Sequence, residues 1–571
     1  MNRRKIFQRL SASALGLLIL LFGFLNWYSS SANSDHGRDD DLGGPWSSQN
    51  EVYNSNLYQE VRLKKEDDDA LFKSLNENFL QYDPEFTRVP TWILTSPNVS
   101  TIHRFFDSSP FSPSGRYLAV TRLPQIFPGS GEGTNAEIVV IDLMSGSEDI
   151  VATTTAWGAQ LGSQVQWGQS DEQLFFNTVK ETSDQGVAGV SLNIFTKLKH
   201  TMDCPIYHVS KNGKYTISPT ITKIKHTQMG YGADYISERN RNNEIYIPNQ
   251  NAAKNDGIFL GDVESGTCIL LISLNDLAKL ANIDTQSTPV YGFHTKWSSD
   301  SKYILFVMRS MEVGSGLLNG ITGVKIRKQH LFVLGRDGTG AKHILSWSSK
   351  PYRYQGRNFW KTGDISDEYD GNHPNWIPNT YKISMNLKSN KRNKTIDYGW
   401  DVMVLDLKDN NSLMNKKLVT NRGSGHPNFD NSGRYLLLDA YAKESLNFNM
   451  KNKTKSLCNI EQSDEKCKKD SRKIEKKIPL RLLDTETMKE IWLLDLQLNP
   501  SSLSHHELYF APKSATNAHR RAWRCDMHAT WSPSQDWIVL NGRPNGANRQ
   551  VLISYIGKVN ELFGEQENDL K

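Results

Sequence analysis

The sequence predicts an all-β seven-bladed β-propeller behind an N-terminal membrane-anchor helix and a short linker with a helical stalk. Three observations give this reading. One strand–turn–strand pattern recurs seven times, an uncharged apolar run follows a basic N-terminus, and the composition supplies a large aromatic core. The 571 residues hold 14 Trp, 21 Tyr and 22 Phe, with 37% hydrophobic and 23% charged residues. A mean hydropathy of −0.55 excludes a polytopic membrane protein, and the aromatic content excludes wholesale disorder. The net charge of +5 is nearly balanced and unclustered, which argues against a nucleic-acid partner.

Residues 1–9 read as a cytoplasmic tail with Arg3, Arg4, Lys5 and Arg9. Residues 10–28 follow without a charge and are long enough for a transmembrane signal anchor; Asp35 and Asp39 to Asp41 come after. The positive-inside rule then places the body across the membrane, as a single-pass type II protein whose body is periplasmic, lumenal or extracellular. A cleaved signal peptide ending near Ser30 and Ala32 is the alternative, and it gives a secreted protein. Residues 29–88 read as linker and short amphipathic helices, 89–560 as the propeller, and 561–571 as a C-terminal tail.

The repeat markers are Phe111, Trp167, Val209, Trp297, Trp376, Phe429 and Trp531, each followed by a short polar turn and an apolar strand. The phrase S-P-S-G-R-Y-L after Phe111 returns as N-S-G-R-Y-L after Asp430, which argues against a β-sandwich with chance similarity. Small repeated sheets bury their faces only against neighbours, and that makes a propeller. The last blade has room for three strands, so Thr91–Leu94 is expected to supply the fourth and close the ring. Long second-to-third-strand connections near 221–256, 309–328, 388–400 and 442–479 all fall at one end, where binding sites on rigid scaffolds usually lie. Within the last of these, Cys458 and Cys467 are spaced to close a small disulfide loop.

Three residues before the marker stand His294, His373, His426 and His528 in blades four to seven, and Gln164 in blade two. This register opens the innermost strand at the long-loop end. Imidazoles converging there suit a divalent metal, with zinc, manganese and calcium all open, and Gln164 or water completing the shell. Cys525 is a further thiolate candidate. The plainer alternative is that each His caps a turn. Arg122, Asn177, Arg309, Asn386, Asp439 and Arg543 end second strands at the same face, and the blade-three loop adds His226, Tyr231, Tyr235, Arg239 and Arg241.

Gly425-His426-Pro427, Asn372-His373-Pro374 and the later His528 resemble the seven-bladed propeller polysaccharide lyases, namely the oligogalacturonate lyases and more loosely the ulvan lyases. In the oligogalacturonate lyases three His and one Gln hold a divalent metal in the propeller mouth. The resemblance implies an acidic polysaccharide or oligosaccharide as partner, cleaved by β-elimination. The resemblance does not place a lyase catalytic set residue by residue; β-elimination needs a base, for which Tyr231 and His226 are the candidates, and cations for the carboxylate, for which Arg309 is the catalytic candidate and Arg122, Arg239 and Arg543 the substrate-binding ones. The Tol-system propeller shares the S-P-S-G repeat but not the histidines. His103-Arg104-Phe105-Phe106-Asp107 and Gly230-Tyr231-Gly232 resemble a wider set of bacterial propellers. No G-x-S-x-G motif supports a peptidase of the propeller–hydrolase kind. A non-catalytic glycan- or protein-binding propeller in envelope polysaccharide assembly remains the alternative function.

Overall fold

The computed structural model describes residues 70–564 apart from 84, 86, 125–133, 181, 184, 228–229, 234–251, 287, 314–324, 349–367, 390–399, 424, 441–475, 499–524 and 545–547. Seven antiparallel four-stranded meanders follow one another. Blade one is β3 (Ser100–Ile102), β4 (Tyr117–Leu123), β5 (Ala136–Asp142) and β6 (Glu148–Thr154). Blade two is β7 (Gln166–Trp167), β8 (Gln173–Val179), β9 (Val187–Asn193) and β10 (Lys199–Thr201). Blade three is β11 (His208–Val209), β12 (Tyr215–Ser218), β13 (Gly257–Asp262) and β14 (Cys268–Ser273). Blade four is β15 (Val290–Trp297), β16 (Tyr303–Val313), β17 (Lys325–Gly335) and β18 (Lys342–Ser348). Blade five is β19 (Glu368–Trp376), β20 (Lys382–Ser389), β21 (Trp400–Leu407) and β22 (Leu413–Gly423); among the described residues its one strand pairing with blade four is the parallel Ser348–Tyr369 bridge. Blade six is β23 (Asn428–Phe429), β24 (Tyr435–Leu438), β25 (Lys476–Asp484) and β26 (Glu490–Leu498).

Blade seven mixes the two ends of the chain. Strands β27 (Thr530–Trp531), β28 (Trp537–Gly542) and β29 (Gln550–Tyr555) are joined by β2 (Thr91–Ile93), which pairs Trp92 with Ile553, so the ring closes as expected. Strand β1 (Leu80–Gln81) adds a fifth strand, so the sheet begins ahead of residue 89. Helix α1 (Ala70–Asn78) buries Phe72 and Leu75, and the Phe72 ring meets Trp92 edge-on at 5.0 Å. At the other end Phe563, beyond 560, stacks on Tyr435 at 5.6 Å. Among the described residues no helix is long and apolar enough to cross a membrane; residues 10–28 lie outside the described residues.

Each blade interface carries its own apolar cluster. Leu174 and Phe176 of blade two meet Ile138 and Val140 of blade one, and Leu305 and Val307 of blade four meet Ile383 and Met385 of blade five. Strand alternation explains this, because a blade buried on both faces sends successive residues to opposite neighbours. The aromatic markers also fasten blades by hydrogen bonds. The indole N–H groups of Trp167, Trp376 and Trp531 donate to Pro110 O (2.8 Å), Lys296 O (3.3 Å) and Asn428 O (3.2 Å), each just before the preceding marker in space. The turn after the marker needs a left-handed residue, which explains Gly115 (φ 81°), Gly213 (φ 65°) and Gly433 (φ 73°) there.

A disulfide joins Cys204, ahead of blade three, to Cys268 in β14. Cys458 and Cys467, the pair whose spacing suits a small loop, lie outside the described residues.

Candidate functional site

The inner strands break their ladders at the histidine register. Pairing of β15 with β16 skips between Gly292 and Thr295, and pairing of β19 with β20 skips between Asn372 and Asn375. Bulges of this kind re-aim side chains next to functional sites. At the same register Gln164 (φ 63°), His373 (φ 57°) and His528 (φ 50°) take the left-handed conformation, and in blade six Gly425 (φ 53°) precedes His426. Left-handed backbone at non-glycine residues is uncommon and tends to cluster at functional sites.

The kinks bring the imidazoles together. Ring centroids of His373 and His426 are 4.1 Å apart, those of His426 and His528 4.5 Å, and those of His294 and His373 6.4 Å. All four rings are almost wholly buried. Phe105 lies against all of them, stacked on His294 at 5.5 Å and edge-on to His528 at 4.6 Å. Burial holds the His294 and His373 rings well below the usual imidazole range, so they are neutral and keep a lone pair for a ligand.

The Nδ1 atoms of His294, His373 and His426 are engaged by the protein. His373 Nδ1 donates to Gly425 O at 2.6 Å, which fixes its tautomer and puts the lone pair on Nε2. His426 Nδ1 bonds Asp439 Oδ2 at 2.9 Å, and His294 Nδ1 is 2.7 Å from the Tyr207 hydroxyl. His294 Nε2 is buried with no hydrogen-bond partner among the described residues. Asp439 also accepts from the backbone N–H of His426 and of His528 (3.2 Å), so one carboxylate sets the histidines of two blades. A Cβ on Gly425 would stand 1.9 Å from Asp439 Oδ1, so that position admits only glycine.

Asp526, absent from the sequence reading, joins the group: one ligand atom each from His426, Asp526 and His528 lie within 4.8 Å of one another. Its D-x-H spacing ahead of His528 was the available signal. Imidazole nitrogens and a carboxylate oxygen form a donor set that fits a divalent transition metal.

Gln164 is turned to another task. Its Oε1 accepts from Arg104 Nε at 2.7 Å, and Arg104 pairs with Asp107, which Lys296 Nζ meets at 2.9 Å. Burial alone would raise the Asp107 pKa, but Arg104 and Lys296 hold it far below the usual range. With Phe105 and Phe106 this network fills the channel beneath the histidines. On its far side a cavity of about 800 Å³ is lined by the marker residues, including Trp167, Trp297 and Trp376.

Several candidate second-strand residues act as clamps. Asn177 bonds Ile206 N (2.7 Å) and O (2.8 Å) of the next blade, and Asn386 donates to Gly425 O at 2.7 Å. Arg122 is held by Glu137 and Glu148 at the outer strands of blade one, away from the histidines. The Arg309 guanidinium lies 3.6 Å over the Phe293 ring, next to His294, with Nε donating to Gln329 Oε1. Tyr231 packs on the same Phe293 at 5.4 Å and is 4% exposed. Arg543 and Arg549 flank Cys525, whose thiol burial pushes up. The side chain of His226, at the end of helix α2 (Ile221–Thr227), and residues Tyr235, Arg239 and Arg241 lie outside the described residues.

No family model and no curated protein matches the chain. Among solved structures, an oligogalacturonate lyase in complex with manganese is 11% identical with a TM-score of 0.49, covering 85% of this chain and 97% of that one. An oligogalacturonate lyase from Vibrio parahaemolyticus is 12% identical with a TM-score of 0.47, covering 84% and 97%. A putative TolB from Agrobacterium tumefaciens is 11% identical with a TM-score of 0.29, covering 72% and 94%.

Proposed function

We propose that the long-loop mouth of this propeller holds a divalent cation on His373, His426, His528 and Asp526, with His294 beside them, and that it acts on acidic glycans as a uronate lyase. The observation that carries the metal is the outer hydrogen bonding: Gly425 O and Asp439 take the Nδ1 sides of His373 and His426 and aim the opposite nitrogens inward. When bound, a cation would neutralise the carboxylate of a uronate and ease loss of its C5 proton. The chain's own residues hold the ligands, exclude water from beneath through Phe105 and Phe106, and offer the Arg309 cation beside His294. The step from metal to acidic sugar rests on the sequence resemblance at 372–374, 425–427 and 528.

A second reading, a glycan-binding propeller without catalysis, is favoured by the burial of Tyr231 against Phe293, which leaves that phenol little room to reach a substrate proton. For the cell, we propose an anchored body outside the cytoplasm; the Cys204–Cys268 disulfide supports an oxidising compartment.

Incubating the metal-loaded full chain with a panel of polyuronates separates the two readings. A rise in ultraviolet absorbance from the new C4–C5 double bond is expected of the lyase. Saturable binding without that rise supports the second reading.

A further inference from the structure

Blade one lacks a histidine three residues before its marker, because Ser108 stands there. The structure places that station elsewhere. Strand β3 leaves the ladder at Ile102, and pairing with β4 resumes only at Phe111–Leu118. The residues between fold into the channel and shift the count. The clamps identify the equivalent position. Asn177 of blade two grips the backbone N and O of Ile206, three before Val209, and Asp439 of blade six grips the N of His528, three before Trp531. Asn541 of blade seven grips the backbone of His103 in the same way, accepting from its N (3.0 Å) and donating to its O (3.3 Å). Blades four, five, six, seven and one therefore each deliver a histidine to the mouth.

The His103 ring is fully buried and faces His528 edge-on, with centroids 6.5 Å apart. The Met527 backbone lies near it, yet neither ring nitrogen makes a hydrogen bond of ordinary geometry to a described residue. A buried imidazole left in that state calls for a bound ion or water. The 6.5 Å between the His103 and His528 rings puts His103 at the edge of the histidine cluster.

We propose that His103 would serve as a further ligand of the cation held by His426, Asp526 and His528. This rests on the reading that the mouth binds a divalent cation.

The test is titration of the metal-stripped full chain with Co²⁺, followed by visible absorption and by X-ray absorption counting of imidazole ligands. His103→Ala and the bulkier His103→Gln are compared with wild type and with His426→Ala. Asn541 holds the backbone of residue 103 rather than its ring, so both variants keep the blade anchored. Each is expected to lose one imidazole and to weaken Co²⁺ binding by about 100-fold or more, beyond the usual 10–100-fold cost of losing an outer partner. Wild-type affinity and imidazole count in both His103 variants, alongside loss of binding in His426→Ala, overturn the assignment and leave the metal site standing. Absence of Co²⁺ binding by the wild type overturns the site itself.

Discussion

Replacing Asp439 with asparagine probes how two blades share one site. The carboxylate accepts from His426 N, His426 Nδ1 (2.9 Å) and His528 N (3.2 Å), all buried. Asparagine keeps one acceptor oxygen: turned to the Oδ2 side it still serves His426 Nδ1 and His528 N and leaves His426 N against an N–H, and turned the other way it keeps His426 N and orphans the other two. Each orphaned buried donor costs about 1–3 kcal/mol, so with one or two orphaned the loss in folding stability is about 1–6 kcal/mol. The His426 ring and the His528 backbone lose part of their shared anchor, and divalent-metal affinity should fall by the roughly 10–100-fold expected for one outer partner. Urea unfolding reads the first effect and Co²⁺ titration the second. Asp439→Ala should match or exceed both, whereas Asp430→Asn, in a turn at the opposite end of blade six, should leave affinity unchanged. Wild-type Co²⁺ affinity in a folded Asp439→Asn protein refutes the reasoning.

Four further outcomes follow from the geometry. Trp376→Phe removes the indole bond to Lys296 O and should cost about 0.5–1.5 kcal/mol in urea unfolding. Reducing Cys204–Cys268, which closes a separation of 64 residues, should cost about 4 kcal/mol on the chain-entropy estimate, seen as a reductant-dependent drop in melting temperature. Gly425→Ala places a methyl against Asp439 and strains φ 53°, so metal retention should fall in atomic absorption while far-ultraviolet circular dichroism stays unchanged. Burial holds His208 down to about 4 and His330 to about 3, below the unfolded value of 6.5. The unfolded chain therefore binds more protons below 6.5, and stability present above that pH is lost as pH falls, by about 2 kcal/mol per histidine at pH 5. Equal unfolding midpoints at pH 5 and 7.5 contradict this.

The blades were legible because the marker does two jobs that sequence pattern records: it packs in the interface and, where it is Trp, donates to the preceding blade. The histidine register was legible in the four blades where the chain covers the same three residues from register to marker. His103 was hidden because its blade carries an insertion, and equivalence there is set by Asn541, which is far away in sequence. The same long-range pairing explains Gln164: nothing near it shows that Arg104 will take its side chain. Asp439, Asn177 and Asn386 were recognised as polar ends of second strands, but their partners lie on the following blade, so a clamp and a ligand-binding group look alike in the sequence. The disulfide was missed for a similar reason, since Cys204 and Cys268 meet only once blade three has folded.

The central claim is that these imidazoles converge to bind a metal, and elemental analysis joined to X-ray absorption of the full chain, purified without chelator, tests it most directly. The account predicts stoichiometric divalent metal with at least three imidazole nitrogens at about 2.0–2.1 Å if the ion is zinc. Metal-free protein that also fails to take up added Zn²⁺, Mn²⁺ or Co²⁺, or a shell with no imidazole, contradicts it.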